Sequence, residues 1–154
     1  SDNVQFYLHR KNLEVNAGAF PGAEFETKGE VVQLTEPART LEIVFRFIYP
    51  RRYPDLDGLD FEALLEIAEA VEKYEVFPAM FPTNSELRKF IQEHPIEVLL
   101  HALKHDHRNL ANEAAPYLAF SNTVFDKLPD HYLLHWVSWQ SSAFFVAYVL
   151  VKFG

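Results

Sequence analysis

The chain contains no cysteine. Disulfides, thiol nucleophiles and thiolate metal sites are therefore all excluded. Glycine is scarce too, five in 154 residues, and none has the spacing of a phosphate-cradling loop. Basic residues are outnumbered, 14 Lys and Arg against 22 Asp and Glu, which gives a formal net charge of −8. A nucleic-acid-binding surface gains affinity by neutralising phosphates, so this balance speaks against one. Long apolar runs are also lacking. The longest, Ala143 to Val151, is well short of the about 20 residues that cross a bilayer as a helix. It reads as a buried terminal element or an interface, and no membrane partner is expected. No secretory signal opens the sequence, and an intracellular location, cytoplasmic or nuclear, is expected.

What is present suits a packed core. Hydrophobic residues make up 49% and aromatics 15% of the chain, which is too much apolar surface for a disordered segment. The length fits one domain, or one domain with a helical extension. Up to about Met80 the texture is mixed. Val4, Phe6 and Leu8 alternate as in a short strand, and Val31 to Leu34 is β-branched and bounded by turn residues. Two short helical pieces are expected around Gly18, with His9 at the strand-to-helix corner. Its ring is expected to satisfy loose backbone groups at the helix start, as structural punctuation.

Pro37 then fits a first helical turn, and Leu41, Val44, Phe45, Ile48 and Tyr49 recur at helical spacing. Asp60 is placed to cap a further helix whose buried face is Phe61, Leu64, Leu65, Ala68 and Val71. Beyond Thr83 only helices are read. Pro95 opens one, HDHRN (105–109) breaks the pattern, and a last helix carries Trp136 and Trp139. No long period repeats, so a solenoid is disfavoured.

Catalytic constellations find little support. There is no G-x-S-x-G to place a serine nucleophile on a strained turn. Asp55, Asp57 and Asp60 crowd one loop, where Pro54 and Gly58 explain them as turn and capping residues. Seven histidines are the stronger lead. His101 and His105 lie four apart with His107 just after, and His131 and His135 repeat the spacing. Imidazoles on one helical face can begin a zinc site, which needs three or four ligands. The H-E-x-x-H form is absent. His101, His105 and His107 thus define the alternative reading, a zinc-binding protein or metalloenzyme, against the simpler one of a polar helix break.

Several ordered motifs point elsewhere. A strand ends in His9, Arg10 and Leu13, and small residues then lead to Phe20. VVQL follows, then LEIVFRFIYP with its Ile48-Tyr49 pair, then an Asp-capped helix with LLEIAEAVEKYEV. This order resembles the BTB/POZ domain over residues 4–81, and AEFETKGEVVQLTEPARTLEIVFRFIYPRRYPDL is similar to fungal members of that family. EHPIEVLLHALKHDHRNLANEAAPY is similar to the helical extension that often follows the domain there.

The resemblance implies an α+β fold for residues 1–81, a small sheet flanked by helices with the family's first strand missing. An all-α extension would occupy 82–154. It further implies a non-enzymatic protein–protein interaction domain without a cofactor, forming a homodimer or binding an adaptor partner such as a cullin-type scaffold. The family's apolar-x-Glu cullin motif is matched only loosely by Glu24 to Thr27. The contact residues expected are Leu13, Val15, Phe20, Phe25 and Tyr53, with Phe25 and Tyr53, both in loops, as the better anchors.

Overall fold

The structure is a computed structural model that describes residues 3–20, 31–118, 123–133, 136–139 and 141. Two compact units are present, Ser1–Phe90 and Ile91–Gly154. The boundary read from sequence texture, 81/82, falls inside a helix of the first unit.

In the first unit, α1 spans Arg10–Asn16, α2 Ala38–Arg46, α3 Phe61–Lys73 and α4 Phe77–Leu87. Pro37 precedes α2, whose buried residues Leu41, Val44 and Phe45 follow the three- and four-residue spacing of its apolar stripe. The chain leaves the helix there, yet Phe47 and Ile48 remain almost wholly buried. Asp60 caps α3, its Oδ1 accepting from the Ala63 N–H at 2.8 Å. Leu64, Ile67, Ala68 and Val71 carry the buried face of α3, which packs against both α2 and α4. Asp60→Ala is expected to cost about 1 kcal/mol, because one orphan N–H of the first turn loses its acceptor. A chemical-denaturation midpoint that stays at the wild-type value would show that the cap contributes nothing.

The sheet expected from the sequence is not present in the described part of the chain. Among the described residues there is no strand, and the β-type pairing consists of one isolated antiparallel bridge between Ala17 and Val76. The α+β, BTB/POZ-like fold is therefore corrected to a helical architecture. Residues 4–8 form no ladder, and packing rather than pairing accounts for Phe6 and Leu8. Phe6 and Leu8 are half-buried between exposed neighbours, and the Phe6 ring meets Phe45 edge-on at 5.4 Å. Val31 and Val32 are exposed, in a segment without strand pairing. β-branching favours a strand only where cross-strand neighbours exist to pack against.

The segment leading into α2 is held by side chains. Lys73 at the end of α3 donates to Thr35 Oγ1 at 2.8 Å and to Glu36 Oε1 at 2.5 Å, and Tyr74 donates to Glu36 Oε2.

In the second unit, α5 spans Pro95–Lys104, α6 Arg108–Ala114 and α7 Thr123–Lys127, with a 3₁₀ turn at Ala115–Leu118 and helical residues at 130–133 and 136–139. Pro95 opens α5, where its missing N–H costs no bond. Val98, Leu99 and Ala102 of α5 and Leu110, Ala111 and Ala114 of α6 are buried, and the two helices pack on each other. Lys127 pairs with Glu97 at 3.2 Å, linking α7 to α5.

Candidate functional site

Three features of the chain could act on another molecule. The first is an apolar corner of the first unit. Gly18 N–H donates to Glu75 O at 3.0 Å, and the Ala17–Val76 bridge brings the end of α1 alongside the start of α4. Gly18 lies so close to α4 that a Cβ there would sit 3.1 Å from the Phe77 ring.

Around this corner Val15 is 74% exposed, Phe77 53% and Phe81 76%. Phe77 and Phe81 are four apart on α4, hence neighbours on one face. Each precedes a proline, Pro78 and Pro82. Pro78 lies in the first turn, where its missing N–H costs no bond, whereas Pro82 lies inside α4 and removes one. A helix shaped only for stability would carry neither Pro82 in its interior nor two uncovered aromatics.

Sequence reasoning missed Phe77 and Phe81. The doubled F-P of FPAMFP was the available signal. Of the five contact residues it did name, Val15 belongs to this corner. Leu13 and Phe20 are half-buried, and the Phe20 ring stacks on Tyr74 at 5.4 Å. Tyr53 is 49% exposed while its ring leans on Phe47 at 5.2 Å. Phe25 lies outside the described residues, as does the acidic segment from Glu24 to Thr27.

His9 does not cap α1 with its side chain. Its backbone N–H donates to Tyr49 Oη at 3.2 Å, and its ring stands edge-on to the Tyr49 ring at 5.8 Å. The ring thus meets a tyrosine and does not satisfy the helix start, where the His9 carbonyl accepts the Asn12 N–H at 2.9 Å.

The second feature is the turn between α5 and α6. His105 closes α5 with its N–H on His101 O at 3.2 Å, Asp106 adopts φ +55°, and the His107 N–H reaches back to Ala102 O at 2.8 Å. This is a Schellman turn, with aspartate in the left-handed position that glycine usually takes. It folds His107 back over the last turn of α5. Three imidazoles consequently gather, with ring centroids 4.9 Å apart for His101–His105, 5.8 Å for His101–His107 and 6.3 Å for His105–His107. His101 is 2% exposed, and the other two are half-buried. Of the second pair, His131 is exposed and His135 lies outside the described residues.

The third feature is a cavity of about 230 Å³ in the second unit, lined by Leu99, Ala102, Leu103, Ala111, Trp136 and Trp139 among others. The small side chains at 102 and 111 leave the room, and the two indoles stack at 5.2 Å to form one wall. Asp106 and Arg108, paired at 3.1 Å, give it a polar edge.

No protein-family model, curated protein or solved structure matches the chain. Among the described residues no helix is long and apolar enough to cross a membrane. The apolar run from Ala143 to Val151 lies outside them.

Proposed function

We propose that the chain is a non-enzymatic protein-interaction domain whose first unit associates with a second copy of itself through Val15, Phe77 and Phe81. The carrying observation is the uncovered Phe77/Phe81 pair on α4. Binding interfaces draw most of their energy from a few apolar or aromatic anchors of this kind, and contiguous apolar surface left bare on a monomer marks an interaction site. The BTB/POZ resemblance of the sequence motifs supports the same class and supplies a cullin-type scaffold as the alternative partner. An intracellular location, cytoplasmic or nuclear, goes with this reading.

Two copies of a chain with net charge −8 repel one another, and salt screens that repulsion. Self-association is therefore expected to strengthen as ionic strength rises, whereas capture of a basic partner would weaken. Sedimentation equilibrium over a concentration series, at low and at high salt, tests this. The wild type should approach twice the protomer mass. Phe77→Ser/Phe81→Ser should weaken the dimer by roughly ten-fold or more, with unchanged far-UV circular dichroism. A wild type that stays monomeric at every concentration and salt would overturn self-association.

A further inference from the structure

We infer that the turn between α5 and α6 is a zinc site, with His101, His105 and His107 as the protein's ligands. The argument starts from the Schellman turn. Its geometry brings the second residue past the helix cap against the last turn of the helix, and that contact is ordinarily a hydrophobic pair. Here the two residues that meet are His107 and His101, and His105 joins them from one helical turn after His101.

The dimensions fit zinc. With Zn–N bonds of about 2.0–2.1 Å and tetrahedral angles, three imidazoles around one ion place their ring centroids roughly 5 Å apart. The observed separations are 4.9, 5.8 and 6.3 Å. A ring nitrogen of His101 lies within 4.8 Å of one of His105 and of one of His107. His105 and His107 are both half-buried, and the site closes when their rings turn toward a common point beside His101.

The chemistry selects the metal class. Three neutral imidazoles and no thiolate form a borderline donor set that suits zinc and disfavours calcium or magnesium, which take oxygen. The nearest carboxylate in the turn, Asp106, is engaged with Arg108 at 3.1 Å and is not a ligand. The three imidazoles are the protein's share of a tetrahedral site that accepts one further ligand. Bound there, the ion ties the end of α5 to the start of α6, and the left-handed Asp106 is the backbone distortion that brings the third ligand into place.

The test uses the whole chain, stripped with chelator and titrated with Zn²⁺ against a chromophoric competitor. Cobalt substitution provides an independent readout of geometry through its visible absorption. One zinc per chain is expected, with the intense visible bands of tetrahedral cobalt and a rise in thermal midpoint on adding zinc. His105→Ala and His107→Gln should each weaken binding by on the order of 100-fold while leaving far-UV circular dichroism intact. His131→Ala should bind as the wild type does. Substoichiometric zinc in the wild type, or His107→Gln binding with wild-type affinity, overturns the site. So does a pale octahedral cobalt spectrum. Because neither readout involves self-association, failure here leaves the dimer reading standing, and the converse holds.

Discussion

Leu64→Ala is expected to lower the stability of the first unit by about 3 kcal/mol. Leu64 is fully buried near the start of α3, and α3 packs against both α2 and α4. Shortening the side chain loses its transfer free energy, and it also leaves a void whose walls belong to elements already fixed elsewhere. A site hemmed in this way collapses poorly, which puts the cost in the middle of the range for buried leucines. The neighbouring Leu65 is only half-buried, so Leu65→Ala should cost markedly less. Urea denaturation followed by far-UV circular dichroism compares the two. Equal costs would mean that the packing assigned to α3 is wrong.

A second large effect is expected in acid. Burial works to raise the Glu36 carboxyl, but hydrogen bonds from Lys73 and Tyr74 outweigh it and hold the group down at about 2, against an ordinary value of 4.5. A carboxyl whose folded value lies below its unfolded value favours the folded state wherever it is ionised in both. That stabilisation is complete above 4.5 and is lost as the pH falls from there toward 2. The Lys73 side chain is 48% exposed, so water screens part of the interaction, and the loss is expected to be about 1.5 kcal/mol. In Glu36→Gln the same pH interval should show a correspondingly flatter profile. Should the substitution leave the acid limb unchanged, the Glu36–Lys73–Tyr74 network is not what anchors the segment before α2.

The helices were the legible part of the fold, and the reason is periodic. Leu41, Val44 and Phe45 in α2, and Leu64, Ala68 and Val71 in α3, repeat at the spacing of one helical face, and the Asp60 cap marks its own position. The strands failed for an equally physical reason. Alternation at Val4, Phe6 and Leu8 does not by itself require a sheet: Phe6 rests on Phe45 of a helix, while Val4 stays exposed. At Val31 and Val32 the β-branched pair reflected conformational preference with nothing to pair against.

The candidate sites divide in the same way. The four-residue spacing of His101 and His105 was plain in the sequence. The convergence of His107 was not, because it depends on a left-handed aspartate that spacing alone does not reveal. Phe77 and Phe81 could have been suspected from the doubled F-P, but their exposure depends on which face of α4 the packing leaves uncovered.

The stacked indoles of the second unit have an optical consequence. Trp136 and Trp139 are the only two tryptophans in the chain, and their rings lie 5.2 Å apart at an interplanar angle of 19°. Two chromophores at that separation couple as excitons, so their ultraviolet transitions split into a bisignate pair of bands. The chain thus carries its own spectroscopic gauge at a single place. Any molecule that enters the neighbouring cavity, or any loosening of that wall, would announce itself as a change in that doublet, with no label attached.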